Sequence, residues 1–202
     1  MLLARSLLSV IVLVALCGVV QAKEKEEVAH LGKQPFEADF ASGGQLRIIL
    51  RSGDIRIEGA DAEKISIRAD GKNADRAGEV KVRLVRKSDG TELEISGGPR
   101  NGIEIVVEIP RKTNLWVRMP AGDLDVHGVI GNKDVELHAG DMTLSAGDPE
   151  QYAQVDASIT SGSLDADRFG VSKGGLFRSF KKNGSGSLHL HAHVGAGQLT
   201  LE

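Results

Sequence analysis

Hydrophobic and polar positions alternate with a period of two over most of this chain. In residues 103–109 the sequence IEIVVEI places an aliphatic residue at every odd position, and in residues 80–84 VKVRL does so at every even position. Such alternation is typical of β-strands with one buried side. Only residues 73–79 have modest helix content, and Gly78 interrupts them, so we expect a turn of helix within a loop there. The pattern predicts an all-β protein.

A short phrase recurs: a glycine, a small polar or acidic residue, and then alternating aliphatic and polar residues. It reads SGDIRIEG at 52–59, AGDLDVHG at 121–128, AGDMTLS at 139–145, SGSLDA at 161–166, SGSLHLHA at 185–192 and AGQLTLE at 196–202. Glycine tolerates the positive φ of a sharp turn, so each phrase predicts a tight turn followed by a strand. Repetition of one such unit is typical of stacked architectures.

The two halves of the chain differ in the spacing of their strands. In residues 36–119 the strands are longer, and the three residues 51–53 are a connection short enough for a hairpin. From Ala121 onward the turn glycines at 122, 140, 162, 186 and 197 are 18, 22, 24 and 11 positions apart. The first three gaps suit one coil of a β-solenoid, whereas the last predicts a terminal hairpin or partial coil. We therefore predict a β-solenoid or β-helix-like stack of short strands, with longer, antiparallel strands in the N-terminal half.

The first 22 residues have the pattern of a signal peptide. One positive charge at Arg5 precedes the apolar run 7–20, and Val20-Gln21-Ala22 offers small residues where a signal peptidase cleaves. Export to the periplasm, the cell surface or the medium follows. Cys17 also permits a lipoprotein signal, but Leu16 replaces the small residue expected before it, so lipid anchoring is less favoured. We expect residues 23–34, with the mixed-charge run KEKEE, to be a disordered spacer, and residues 35–202 to form a single domain.

Composition excludes several classes of function. Cleavage after Ala22 leaves 24 basic and 28 acidic side chains, a balance that does not favour nucleic acid. It also removes the single cysteine, and with it any disulfide or thiolate site in the mature chain. Aromatic residues are 3% of the chain, so the core must consist of Ile, Leu and Val. No cofactor and no membrane span in the mature chain are expected.

The phrases with Gly-Asp turns, together with the opening FEADFASGGQLRIILRSGDIRIEG at 36–59 and the segment GGLFRSFKKNGSGSLHLHAHVGAGQLTLE at 174–202, resemble the bacterial putative-adhesin family. The likeness covers most of the mature chain. It implies an exported, solenoid-like all-β domain of largely unknown function from the cell envelope. The family pattern carries no catalytic residues.

Two patterns could hold a metal ion. His189, His191 and His193 alternate with aliphatic residues and therefore share one strand face, but side chains at i and i+2 diverge from a single tetrahedral point. A polar outer face that uses histidine is therefore favoured, and we predict no metal site. The Gly-Asp pairs are found in calcium-binding β-rolls too, but they lack the regular nine-residue array, so turn chemistry explains them better.

Carboxylates could also gather on the outer face of stacked strands. Five of them lie opposite the aliphatic rows: Asp123, Asp125, Asp134, Glu136 and Asp141. Paired carboxylates carry out glycoside hydrolysis, and their mutual repulsion raises pKa values. They are equally what a soluble strand shows to water.

Two departures from the repeat are candidate contact surfaces. In the excursion 168–184, Phe169, Phe177 and Phe180 stand beside Arg178, Lys181 and Lys182, a combination that could bind an anionic glycan or lipid headgroup. Alternatively, these phenylalanines cover an end of the stack. Trp116 faces away from the apolar row of Leu115 and Val117, so it marks a contact surface or a second packed layer.

These observations favour a non-catalytic exported protein whose strand faces bind an envelope polysaccharide or another envelope protein. One alternative is a β-helical polysaccharide lyase or hydrolase, which shares only the architecture. Another is a structural or regulatory envelope module that self-associates through an exposed edge at 198–202. The sequence does not determine the oligomeric state.

Overall fold

The computed structural model describes residues 25–202; the predicted signal peptide and Cys17 lie outside the described residues. The strands are β1 (Lys25–His30), β2 (Phe36–Asp39), β3 (Gln45–Ile49), β4 (Gly53–Ala60), β5 (Lys64–Asp70), β6 (Val80–Lys87), β7 (Gly90–Gly97), β8 (Glu104–Pro110), β9 (Asn114–His127), β10 (Lys133–Leu144), β11 (Tyr152–Ala166), β12 (Val171–Asn183) and β13 (Leu188–Leu201). Short 3-10 helices lie at Ala74–Glu79, Pro149–Gln151 and Asp167–Phe169. The first confirms the expected helical turn, and the all-β prediction is confirmed.

Each rung of the stack is a strand, or a pair of strands, that turns a corner in its middle. The first half of β9 pairs with β3, and its second half pairs with β4, in parallel in both cases. Along β9 the buried positions switch from the odd residues Leu115 and Val117 to the even residues Leu124 and Val126. The corner at Ala121-Gly122 shifts the alternation by one residue, so both halves point their aliphatic side chains inward.

The order of the rungs differs from the order of the chain. The path through the sheet is β1-β6-β7-β3-β9-β10-β13-β11-β12, in which β7 to β11 run parallel and the strands at both ends pair antiparallel. A rung of alternating aliphatic residues with a glycine corner stacks as well on one neighbour as on another. Adjacency in sequence therefore does not determine adjacency in the stack.

This order corrects three expectations. β3 and β4 form no hairpin, because each pairs with other rungs, and residues 51–53 are the corner of a single rung. The last strand, β13, is a full rung between β10 and β11, so residues 198–202 are not an exposed edge. Segment 168–184 is mostly strand β12, the terminal rung, rather than a loop excursion.

The expected disordered spacer also differs. Lys25–His30 forms β1, which pairs antiparallel with β6. The mixed charges that suggested a solvated tail are matched across this pair: Glu26 bonds Arg83 at 2.7 Å, and Glu27 bonds Arg86 at 2.6 Å. Those charge-assisted bonds hold a strand that buries little apolar surface.

Four glycines with positive φ meet at the corners of successive rungs. Gly140 of β10 has φ +126° and lies between Gly122 of β9 and Gly197 of β13, with Gly162 of β11 next to Gly197. A Cβ atom added to Gly140 would lie much closer than 3.0 Å to the Gly122 carbonyl oxygen, a separation that real Cβ atoms essentially never show. Glycine is required there both for the backbone conformation and for the close approach of neighbouring rungs. Gly186, which we expected among the corners, instead lies in the connection before β13.

The core is one continuous cluster of aliphatic side chains that runs through both halves of the rungs. Among residues 25–202, one charged side chain interrupts this cluster. Lys133, 3% exposed, donates a hydrogen bond from Nζ to the Tyr152 hydroxyl at 2.9 Å, and that hydroxyl donates to the Ala146 carbonyl at 2.6 Å. Burial lowers the pKa of Lys133 to about 8 and raises that of Tyr152 to about 12.

Candidate binding surfaces

The outward face of the first halves of the rungs carries rows of polar side chains in register. One row crosses six rungs, from β3 to β12: Arg47, Trp116, Asp134, His191, Asp156 and Lys181. On β3, β9, β10, β13 and β11 the residues that flank each member along its strand are buried, so this row faces away from the core. Rigid strands therefore hold the row at the spacing of the rungs, about 4.8 Å.

Trp116 is the centre of this face. It is the single tryptophan of the chain, half-buried, and directed outward as the alternation predicted. The Arg118 guanidinium lies 4.0 Å from the centroid of its ring, and that of Arg47 lies at 5.7 Å. These cation–π contacts fix the orientation of the indole.

An open groove of about 350 Å³ lies beside Trp116. Amides, carboxylates and imidazoles line it: Gln45, Asn114, Asn132, Asp134, Gln154, Asp156, His189 and His191. A second depression of about 370 Å³ contains Ile49, Arg118, Pro120, Glu136, His138 and His193. The second depression uses the next row of outward residues on the same strands, so the two adjoin and form one elongated surface, which we call the Trp116 groove.

An asparagine ladder shapes one end of the Trp116 groove. Asn114 Oδ1 accepts hydrogen bonds from the Asn132 backbone N–H at 3.1 Å and from its side-chain amide at 3.0 Å. Asn132 Oδ1 in turn accepts from the His189 N–H at 2.8 Å. These side chains satisfy backbone donors where β9, β10 and β13 begin, so they fix the start of three rungs.

The three histidines of β13 occupy different surroundings. His193 Nδ1 lies 2.9 Å from the Ser158 hydroxyl, and His191 Nε2 lies 3.9 Å from Glu136 Oε1. His191, Asp134 and Glu136 place ligand atoms within 4.8 Å of one another. Arg118 Nη2 is 2.9 Å from Asp134 and 3.0 Å from Glu136, so one guanidinium already forms ion pairs with both carboxylates.

Zinc is expected to leave the thermal unfolding midpoint of the chain unchanged, because a dication at Asp134 and Glu136 would have to displace Arg118. Differential scanning fluorimetry with and without excess zinc measures this. A genuine site would raise the midpoint by about 5 °C or more at 100 times its Kd. A rise of that size that Asp134→Asn abolishes would contradict the expectation.

The five candidate carboxylates divide between the two halves of the rungs. Asp134 and Glu136 belong to the Trp116 groove, whereas Asp123, Asp125 and Asp141 lie on the second halves of the rungs. Asp123 and Asp141 are in register with Asp54. Burial, with the charges of Asp54, Asp141 and Asp125, raises the pKa of Asp123. Because all three members of this aspartate row are exposed, it lacks the enclosed cleft that acid catalysis uses.

β12 carries the second candidate surface. Phe169 and Phe180 pack against the core with their ring centroids 5.4 Å apart, so they cover the end of the stack. Phe177 is 80% exposed with φ +51°, and Leu176 is 61% exposed. The structure therefore separates the phenylalanines that sequence reasoning grouped together.

A family model described as Toastrack DUF4097 matches residues 42–202. The chain belongs to this family. The match covers most of the described residues, and with the stacked strands it confirms the resemblance inferred from the glycine phrases.

Two solved structures are similar to this Toastrack chain. One, described as a putative cell adhesion protein from Clostridium sporogenes ATCC 15579, has 17% identity and a TM-score of 0.49, covering 89% of this chain and 99% of its own. The other, a putative adhesin from Bacteroides fragilis NCTC 9343, has 11% identity and a TM-score of 0.34, covering 90% and 98%. No curated protein matches the chain. Among the described residues, no helix has the length and apolar character needed to cross a bilayer.

Sequence reasoning found some residues of these surfaces and missed others. Trp116, His189, His191 and Asp134 were singled out and do line the Trp116 groove. Gln154 and Asp156 were missed. They reach this surface because β11 pairs with β13, and the sequence does not show that these two strands are neighbours. Arg118 was missed too, although its position two residues after Trp116 on one strand places both side chains on the same face.

Proposed function

We propose that this Toastrack chain is a non-catalytic, exported binding protein of adhesion type in the bacterial cell envelope. Its ligand is an extended polysaccharide that lies along the Trp116 groove. The observation that carries the proposal is the single tryptophan, held rigidly by two guanidinium groups among amide and carboxylate side chains. The pattern of a signal peptide in residues 1–22 supports export.

The chemistry of the Trp116 groove suits a sugar. The C–H groups of a pyranose pack against the part of the Trp116 indole that stays exposed beside Arg118. The sugar hydroxyls pair with planar amides and carboxylates such as Gln154, Asp134 and Gln45. Because strands rather than loops position these groups, little conformational entropy is lost when a ligand binds.

The shape of the groove suits a polymer. Rungs about 4.8 Å apart offer a repeated set of contacts at a spacing comparable to the length of one pyranose unit. The two adjoining depressions extend over the first halves of β3, β9, β10 and β13. A ligand that crosses several rungs therefore meets one outward side chain of the row at each rung.

A non-catalytic role fits the arrangement of the acids. Glycoside hydrolysis needs two carboxyl groups on either side of the scissile bond, one of them protonated. Asp134 and Glu136 instead share one guanidinium, Arg118, on an outward face. The enzymatic alternative predicts cleavage products, which the column experiment described next would detect.

Trp116→Ala is expected to weaken binding to an immobilised polysaccharide about tenfold, because one aromatic stacking contact contributes about 1 kcal/mol or more. The chain from Lys23 is passed over columns of neutral and of uronate-rich polysaccharides, and the eluate is assayed for new reducing ends and unsaturated products. Trp116→Phe, which keeps a ring, serves as the matched variant and should retain most of the binding.

Two results would contradict this proposal. Equal retention of wild type and Trp116→Ala, with unchanged thermal midpoints, would show that the Trp116 groove does not bind the polysaccharide. New reducing ends or unsaturated products that depend on Asp134 or Glu136 would show that the chain is an enzyme and not only a binding protein.

A further inference from the structure

The end of the stack formed by β12 has a charge unlike that of the rest of the molecule. β12 contains Lys173, Arg178, Lys181 and Lys182 and no carboxylate, whereas the whole chain has a formal net charge of −3. Asp156 on β11 pairs with Lys181 at 2.8 Å. Within residues 25–202, the other three cations of β12 form no ion pair. This terminal rung therefore presents unneutralised positive charge.

An apolar pair stands at the corner of this rung. Leu176 and Phe177 follow Gly174-Gly175, with exposed fractions of 61% and 80%. Phe177 has φ +51°, a left-handed conformation that is unfavourable for a residue other than glycine. Because its ring is not in the core, packing within the described residues does not compensate for that cost.

Two cations are fixed on either side of the apolar pair. Lys173 donates from Nζ to the Ser179 carbonyl at 3.0 Å, and Arg178 donates from Nε to the Gly174 carbonyl at 2.9 Å. With Phe177 they line a shallow depression. The corner thus combines two positive charges with an exposed aromatic ring and an exposed aliphatic side chain in one rigid turn.

We propose that the β12 corner docks this end of the stack onto an anionic lipid surface. Leu176 and Phe177 enter the headgroup region, while Lys173, Arg178 and Lys182 contact lipid phosphates. The combination of positive charge and exposed apolar side chains is the general requirement for peripheral binding to anionic bilayers. This docking is independent of the Trp116 groove and of any polysaccharide bound there.

Two other occupants fit the corner less well. A second copy that paired edge to edge would bring the four cations of each β12 together, and like charges on an edge strand oppose such pairing. An anionic polysaccharide would pair with the cations, but it offers no apolar environment in which the exposed side chain of Leu176 could be buried.

Sedimentation with vesicles tests the proposal. The chain from Lys23, which lacks both the predicted leader and Cys17, is mixed with vesicles of phosphatidylcholine alone or with phosphatidylglycerol at roughly three to one. We expect binding to the anionic vesicles only, weakened by salt. Neutralising Lys173, Arg178 and Lys182 to Gln should lower the partition coefficient about 100-fold. Leu176→Ser with Phe177→Gly should lower it about tenfold or more, and glycine suits the φ of residue 177.

Matched controls separate this corner from charge in general. Changing Lys33, Lys72 and Lys112 to Gln alters the net charge equally on exposed positions away from β12 and should leave binding to the vesicles nearly unchanged. Four results would overturn the proposal: no binding to anionic vesicles, equal binding to phosphatidylcholine, equal loss in the control variant, or no loss in the Leu176 and Phe177 variant. Two further results would overturn it if vesicles are not bound. One is a dimer in sedimentation equilibrium that depends on β12, and the other is binding of polygalacturonate through the β12 cations.

Discussion

Gly140→Ala is expected to cost more than about 4 kcal/mol of the free energy of unfolding, a large part of the roughly 5–15 kcal/mol typical of a folded domain. The new Cβ would fall on the Gly122 carbonyl oxygen, and the φ of +126° is itself unfavourable for alanine. Relief would require separating β9 from β10, and the hydrogen bonds of both halves of the rung depend on that spacing. Urea unfolding followed by far-UV circular dichroism measures the loss.

Two further glycines serve as matched controls for this prediction. Gly147 has φ +73° but no atom within 4 Å of an added Cβ, so Gly147→Ala isolates the backbone strain and should cost only about 1 kcal/mol. Gly32 has open space and no left-handed φ, so Gly32→Ala should be nearly neutral. If Gly140→Ala cost no more than Gly147→Ala, the close approach of rungs at the corner would be disproved.

Lys133→Met is expected to raise the free energy of unfolding at pH 7 by about 2 kcal/mol. Burial lowers the pKa of Lys133 from 10.5 to about 8, so the charged form costs the folded state about 3 kcal/mol. Methionine fills a similar volume without charge, at the loss of one hydrogen bond to Tyr152, which keeps its bond to the Ala146 carbonyl. Exposed Lys72 changed to Met is the control and should shift stability by less than about 0.5 kcal/mol.

The pH dependence of stability provides the sharper test of Lys133. Below pH 8 both the folded and unfolded states hold the proton, so the full penalty applies. Between pH 8 and about 10 the unfolded state binds more protons, so stability rises with pH. Above pH 10 ionisation of Tyr152 in the unfolded state reverses the trend, because its folded pKa is about 12. The rise should disappear in Lys133→Met, and its persistence would assign it to another group.

The period-two alternation and the glycine phrases predicted the class of fold because they express local physics. A strand that buries one side needs an aliphatic residue at every second position, and a sharp corner between stacked rungs needs a positive φ. Trp116 was placed on the outward face for the same reason. Each of these inferences needs only residues within one rung.

The order of the rungs could not be predicted in this way. β10, β11 and β13 offer nearly the same aliphatic rows and the same glycine corner, so no local feature tells which two are neighbours. The insertion of β13 brings Asp156 beside His191 and so completes one side of the Trp116 groove. β12 was not predicted as a strand because its hydrophobic and polar residues do not alternate. As a terminal rung it packs only Val171 and Phe180 against the core.

The Trp116 indole N–H resonance tests the central claim most directly. Because the chain has one tryptophan, its signal in a ¹H–¹⁵N correlation spectrum reports on the groove alone. On titration with a polysaccharide that retains the protein on a column, we predict that this resonance and the amides of the first halves of β9, β10 and β13 shift together and saturate together. Saturable binding that leaves the indole resonance unmoved, with shifts confined to the second halves of the rungs or to β12, would contradict the account.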